Sequence, residues 1–159
     1  MAQETLVRGT TFSEPDNRTI VATGWFDAPR QLVWDAHTTC EHLPKWQGGY
    51  EGWTMPVCEM DFRPGGKYRY GYEGPGEPFE FTGEYREITP PERIVQTQVF
   101  QGAEEIDTLK LTDENGGTKL TLTAVYPSSE AREGAKATGM EDGWAWTYER
   151  LDEHLRTMM

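Results

Sequence analysis

The stretch GMEDGWAWTYERLDEHLRTMM, residues 139–159, decides the fold of this chain. Mostly apolar side chains recur in it at steps of three and four residues, which is the spacing of one face of a helix. This face comprises Met140, Trp144, Thr147, Tyr148, Leu151, Leu155 and Met158. Charged side chains occupy most of the positions between them, so we expect the opposite face to contact solvent. A helix of roughly six turns needs a large apolar surface to pack against.

The residues before this helix supply that surface, because their apolar and polar side chains alternate as they do in strands. Tyr68, Tyr70 and Tyr72, for example, fall on one face of a strand. Prolines and glycines separate the alternating segments, and Pro64-Gly65 fits the centre of a type II turn. The pattern predicts seven strands, at residues 18–27, 54–62, 67–72, 79–88, 93–100, 105–112 and 118–126.

Two short helical segments are predicted between the first two of these strands. Asp27 is a good N-cap for the first helix, and Pro29 lies near its first turn, where a missing N–H costs little. The second segment, residues 40–46, is interrupted by Pro44. Residues 1–17 are polar and are interpreted as a tail or a short added strand. We therefore predict a single domain over residues 18–157.

Composition and charge exclude several classes of partner. The net charge of −12 and the absence of a run of Lys or Arg argue against nucleic acid or an anionic membrane, since both require a basic surface. No apolar segment approaches the roughly 20 residues that span a bilayer, and the N-terminus lacks a signal-peptide pattern. We expect a cytoplasmic protein without membrane insertion. Cys40 and Cys58 follow no closely spaced pattern, so reduced, packed thiols are expected.

Few residues of the sequence suggest catalysis or a metal. His37, Cys40 and His42 are three potential ligands within six residues, but their spacing does not match paired metal-binding motifs. We expect neither a metal nor a cofactor. The serines fall in turns or caps, outside any nucleophile-elbow pattern. Glu80 and Glu84 share one strand face, which is typical of the solvent side of a half-buried sheet.

Aromatic side chains are more abundant than a helix packed on a sheet requires. The chain has six Trp, seven Tyr and six Phe. These side chains either fill a core or line a pocket, in which a Tyr hydroxyl or a Trp indole would orient the polar end of a ligand. The residues alone leave both alternatives open.

Seven groups of short strings, in order along the chain, resemble one protein family. They are FDAP at 26–29 with Val33-Trp34, EHL at 41–43 with Trp46, CEMDFRPGG at 58–66, Gly83 with YREI at 85–88, PPERIV at 90–95, GTKLTL at 117–122, and Gly139-Met140 with Gly143-Trp144 and Leu151. These strings resemble the bacterial proteins related to the heat-shock-protein-90 ATPase activator. The resemblance covers about residues 19–155.

That family belongs to the START-like, birch-pollen-allergen-like superfamily, also called SRPBCC. The resemblance implies a helix-grip fold, in which an antiparallel sheet wraps a long C-terminal helix and encloses a deep, largely apolar cavity. Members bind lipids, sterols, polyketides and other hydrophobic molecules, and some are enzymes. The shared strings are turns and packing residues, so they bring no catalytic residue to this chain. A chaperone partner follows from the family label alone, and no residue of this chain argues for it.

The sequence therefore predicts one α+β helix-grip domain with a curved antiparallel sheet around the long C-terminal helix. We expect it to bind a small hydrophobic or aromatic ligand between sheet and helix, without assigned catalysis. The predicted lining residues are Trp46, Tyr70, Tyr72, Phe81, Tyr85, Met140, Trp144 and Tyr148.

Three alternatives stay open at this point. An enzyme of the same fold, such as a cyclase or hydrolase, would use a cavity carboxylate or tyrosine, and a buried carboxylate with a raised pKa would favour it. An interaction module without a ligand would show a filled core and an exposed apolar patch. A homodimer would form through the sheet edge or the N-terminal tail.

Overall fold

The computed structural model describes residues 4–48 and 51–159. The strands in these residues are β1 (Glu4–Val7), β2 (Thr10–Ser13), β3 (Thr19–Phe26), β4 (Thr54–Met60), β5 (Lys67–Glu73), β6 (Phe79–Thr89), β7 (Arg93–Phe100), β8 (Ala103–Glu114) and β9 (Gly117–Val125). The helices are α1 (Arg30–Thr38), α2 (Ser129–Lys136) and α3 (Met140–Met158), with a 3₁₀ turn at Leu43–Lys45.

All nine strands belong to one antiparallel sheet with the order β1-β2-β3-β9-β8-β7-β6-β5-β4. Helix α3 packs on this sheet, so the fold is the predicted α+β helix-grip arrangement. Within the described part of the chain, no helix combines the length and the apolar character that a membrane span needs.

Helix α3 follows the periodicity of its sequence. It begins after Gly139, whose φ of +79° lies in the left-handed region that glycine adopts without strain. Leu151 and Leu155 are completely buried in the core, as predicted. Glu141 and Asp142 lie in the first turn, where negative charge is favourable at the positive end of the helix dipole.

The hairpin of β4 and β5 shows how the middle of the chain forms the sheet. Tyr68, Tyr70 and Tyr72 are all buried, as their alternation predicted. Gly65 has a φ of +85°, which the third position of the predicted type II turn requires. Alternation along β5 places all three rings on one side of the sheet, and the turn fixes their register against β4.

The N-terminal segment contributes more structure than was predicted. Two strands, β1 and β2, extend the sheet where a tail or one short strand was expected, although residues 1–3 lie outside the described part of the chain. Phe12 is only 1% exposed, and its ring centroid lies 5.4 Å from that of Trp144. Burial of this ring on the helix explains why a mostly polar segment is ordered there.

The predicted start of α1 was wrong by two residues. Pro29, not Asp27, is the N-cap, with φ −60° and ψ 147°. The carbonyl of Pro29 accepts hydrogen bonds from the amides of Leu32 (3.0 Å) and Val33 (3.3 Å). The extended ψ of Pro29 keeps Asp27 out of the first helical turn. The second predicted segment, 40–46, contains only the 3₁₀ turn, as expected around Pro44.

The prediction of two reduced thiols was also wrong. Cys40 and Cys58 form a disulfide, with their Cα atoms 5.8 Å apart. The bond joins the loop after α1 to the edge strand β4. This loop folds back over the sheet, so two cysteines that are 18 positions apart in sequence become neighbours in space.

A cavity between the sheet and the C-terminal helix

A cavity of about 360 Å³ lies between the inner face of the sheet and α3. This volume is at the lower end of the range found for small-molecule sites. All eight predicted lining residues border it, namely Trp46, Tyr70, Tyr72, Phe81, Tyr85, Met140, Trp144 and Tyr148. Their location is thereby established, whereas their role in holding a ligand stays a prediction.

Aromatic rings form much of the cavity wall. The centroids of Phe81 and Phe100 lie 5.2 Å apart, and the ring of Tyr72 meets Phe81 edge-on at 5.5 Å. On the helix side, Tyr148 lies 6.5 Å from both Trp144 and Trp46. These separations are typical of packed aromatic pairs, so the rings support one another and leave the space between the two walls open.

One patch of the wall is polar, and neighbouring strands build it. Gln96 on β7 pairs with Asp107 on β8, and Gln98 pairs with Glu105. Paired residues of adjacent strands point to the same face of a sheet. All four border the cavity, and Nε2 of Gln98 donates to Oε1 of Glu105 at 3.3 Å.

Asp107 is the least solvated carboxyl of this patch. Its side chain borders the cavity, yet the residue is only 7% exposed, and its Oδ1 atom is buried without a hydrogen-bond partner. Burial, reinforced by the charge of Glu105, raises the pKa of Asp107 well above its usual value. A protonated carboxyl can both donate and accept a hydrogen bond, so Asp107 suits a polar group of a ligand.

The cavity tyrosines are neutral hydrogen-bonding groups. The hydroxyls of Tyr70 and Tyr85 lie 3.3 Å apart. Burial raises the pKa of Tyr85 to about 12 and also raises the pKa of Tyr70 and Tyr148. The hydroxyl of Tyr126 donates to Sδ of Met140 at 3.4 Å. At neutral pH these side chains are therefore protonated, and they can offer hydroxyl hydrogen bonds rather than act as bases.

His37 also borders the cavity and is uncharged at neutral pH. Burial lowers the pKa of His37 to about 4. The Nδ1 atom of His37 lies 2.7 Å from the carbonyl oxygen of Val33, and it donates a hydrogen bond to this oxygen in the tautomer that has the proton on Nδ1. The imidazole packs edge-on against Trp46, with the centroids 4.7 Å apart. The indole Nε1 of Trp46 in turn donates to the carbonyl of Ala36 at 2.9 Å. Helix α1 thereby fixes both side chains at the cavity wall.

The three potential metal ligands of the sequence do not form a common site. Cys40 is bonded to Cys58, and Nδ1 of His42 lies 3.0 Å from Nε2 of His154. Among residues 4–48 and 51–159, no group of three or more His, Cys, Asp or Glu side chains is arranged to hold a metal ion. Glu80 lies on the outer face of the sheet, where it pairs with Arg69.

Sequence reasoning missed the polar patch of the cavity. A signal was present in β8, where positions 105, 107, 109 and 111 share one face. Leu109 and Leu111 on this face are both buried in the core. Continuing the same face backwards places Asp107 and Glu105 toward the interior, which would have identified them as candidates.

The comparisons with known proteins agree with this architecture. Residues 27–156 match the family model described as activator of Hsp90 ATPase homolog 1-like protein. The chain belongs to this family. No curated protein matches the sequence.

Solved structures of the same fold come from several bacteria. A protein from Rhodobacter sphaeroides is 28% identical with a TM-score of 0.87, over 93% of this chain and 99% of that one. A protein from Mycobacterium smegmatis is 24% identical with a TM-score of 0.80, over 99% and 100% of the two chains. CalU16 from Micromonospora echinospora is 20% identical with a TM-score of 0.62, over 98% and 83%. Because the last two proteins are only 24% and 20% identical to this chain, their similarity shows a common fold alone.

Proposed function

We propose that this protein binds a small hydrophobic or aromatic molecule in the cavity between the sheet and α3. The observation that carries the proposal is an aromatic-lined space of about 360 Å³ that the side chains leave open. Burying apolar ligand surface there contributes about 25 cal/mol per Å². The Tyr70 and Tyr85 hydroxyls and the polar patch would orient the ligand.

Two features count against a ligand-free interaction module. Such a module requires a filled core, whereas the core of this domain contains a cavity. Large exposed apolar side chains among the described residues include Leu6, Trp25 and Ile106, which lie on β1, β3 and β8. These strands are not neighbours in the sheet, so the three residues do not form one contiguous patch on adjacent strands. A homodimer and a chaperone partner stay predictions without a supporting contact.

The experiment combines native mass spectrometry with thermal shift. The purified protein is first examined for a co-purifying molecule, and then screened against hydrophobic and aromatic compounds. Leu122 borders the cavity on β9, whereas Thr123 points to the other face of that strand. We expect Leu122→Trp to abolish the ligand-induced rise in melting temperature by filling the cavity, and Thr123→Trp to preserve it. If a compound raises the melting temperature of both variants by the same amount, binding in this cavity is contradicted.

An enzyme of the same fold is the second candidate, and Asp107 is the observation that favours it. A buried cavity carboxyl with a raised pKa is suited to general acid catalysis. Product analysis after incubation with a bound compound distinguishes the two functions. For an enzyme, Asp107→Asn would stop conversion of the compound, while a binding protein would return every compound unchanged.

A further inference from the structure

The described cavity wall contains acidic side chains but no cationic partner for them. Among the described lining residues, Glu105 and Asp107 are the carboxyls, and there is no Lys or Arg. His37 is neutral above about pH 4 and therefore offers no compensating charge. An anionic ligand, such as a carboxylic acid, would find no cationic partner in this wall and would place its charge beside two acidic groups, which is unfavourable in a poorly solvated space.

The polar patch also contains an unused acceptor. Oδ1 of Asp107 is buried and has no hydrogen-bond donor, although the residue borders the cavity and is more than nine-tenths buried. Native proteins rarely leave such an atom unpaired, because the lost solvation is not compensated. A ligand N–H that donates to Oδ1 of Asp107 would supply the missing hydrogen bond.

The same carboxyls act on the aromatic groups around the cavity. The pKa of Tyr148 on α3 is raised mainly by burial and in part by the charge of Asp107. The pKa of Tyr126 is raised mainly by burial, and then by Glu105 and Asp107. Both carboxyls therefore lie close enough to interact with groups on the helix side and at the end of β9. A cation placed there meets carboxyl oxygens on one side and aromatic rings on the others.

We infer that the ligand is a hydrophobic amine, whose ammonium group is bound by Asp107 and Glu105 while its apolar body lies among the aromatic rings. An ammonium group donates several N–H bonds and carries the charge that the patch lacks. A calcium ion fits less well, because it requires six to eight oxygen ligands and most of this wall is aromatic. The inference rests on the proposed function and narrows its ligand class.

Binding of an amine has a protonation signature of its own. Because the cation favours the ionised carboxyl, Asp107 must release its proton when the amine binds. The titratable groups that interact with this carboxyl are Glu105 on its own strand, Tyr68 on β5, Tyr126 after β9 and Tyr148 on α3. His37 on α1 borders the same cavity. The tyrosines and His37 are neutral at pH 7, so Asp107 is the group expected to supply the proton.

The test uses three compounds with the same apolar body: 2-naphthylmethylamine, 2-naphthylmethanol and 2-naphthoic acid. Isothermal titration calorimetry at pH 7 in two buffers of different ionisation enthalpy measures the affinity and the protons released. We expect the amine to bind about tenfold or more tightly than the alcohol, since hydrogen bonds to charged groups are the stronger ones. The acid should not bind measurably, and only the amine should release a proton.

Two variants separate the carboxyl from general effects of charge. Asp107→Asn should weaken amine binding to the level of the alcohol and abolish proton release. Glu104→Gln removes a carboxyl from an exposed position of the same strand and should change neither. Should the alcohol bind wild type as tightly as the amine, the amine inference is overturned while the proposed function stands. If none of the three compounds binds, the amine inference is overturned, and the thermal-shift screen with Leu122→Trp decides the proposed function by itself.

Discussion

Removing the Cys40–Cys58 disulfide should destabilise the domain and loosen one wall of the cavity. The bond closes a loop that carries Leu43, Trp46 and Gln47, three residues of the cavity wall. The perturbation is the double variant Cys40→Ser/Cys58→Ser, with chemical reduction of the wild type as a second route to the same state. Both routes leave the aromatic wall of β5 and β6 unchanged.

The magnitude follows from the length of the closed loop. Cys40 and Cys58 are 18 positions apart. For a loop of this size, the chain-entropy relation gives a contribution to the free energy of unfolding of about 3 kcal/mol at 25 °C. In a domain of 150 to 250 residues each kcal/mol changes the melting temperature by about 2 to 4 °C, so we expect a decrease of about 6 to 12 °C.

Chemical denaturation and calorimetry measure this loss, and thiol titration under native conditions establishes the state of the cysteines. Reductant should lower the melting temperature of the wild type and leave the double variant unchanged, which controls for effects of the reagent. Two free thiols in the untreated wild type would refute the reasoning. A double variant that melts within about 2 °C of the wild type would refute it as well.

Three further predictions concern single positions. Burial lowers the pKa of His37 from 6.5 to about 4, so as the pH falls the imidazole is protonated in the unfolded chain before it is protonated in the folded one. Urea denaturation should therefore show that the free energy of unfolding decreases by about 2 kcal/mol between pH 7 and pH 5, and His37→Gln should lack this decrease. The pKa of Asp107 is raised, so the protonated carboxyl stabilises the folded state, and this contribution is lost as the pH rises through the raised pKa. Asp107→Asn should therefore raise the melting temperature at pH 8 and have little effect at pH 3. A Cβ on Gly83 would clash with the carbonyl oxygen of Thr97, whereas one on Gly134 meets nothing within 4 Å. Calorimetry should therefore show Gly83→Ala destabilised by about 2 to 3 kcal/mol and Gly134→Ala stabilised by up to about 1 kcal/mol.

The sequence predicted those parts of the fold that depend on local periodicity. The helical spacing of Leu151 and Leu155 and the strand alternation of Tyr68, Tyr70 and Tyr72 each describe an element that buries one face. Periodicity states which side chains point inward, and the helix-grip topology then brings those faces together. For this reason the seven predicted positions on β5, β6 and α3 border the cavity, whereas Trp46 reaches it from the loop after the 3₁₀ turn.

Features that depend on contacts between distant segments were not predicted. The disulfide forms because the loop after α1 reaches the edge strand, and no local pattern of Cys40 or Cys58 reports that contact. Disulfides are typical of oxidising compartments, so the predicted cytoplasmic location stays a prediction that the thiol state in cells would test. Asp107 was missed for a different reason, because inward-pointing carboxyls contradict the rule that strand faces with charges contact water.

The N-terminal strands support the helix wall of the cavity from outside. The family model begins at residue 27, yet Phe12 on β2 packs edge-on against Trp144, a cavity residue of α3. Arg8 adds ion pairs to Asp142 (2.9 Å) and Glu149 (3.1 Å) on the same helix. The half of α3 around Leu151 is held by the core, whereas the half around Trp144 borders open space and needs support from outside the cavity. Strands β1 and β2 provide that support, so they keep the helix wall in place while the space behind it stays open.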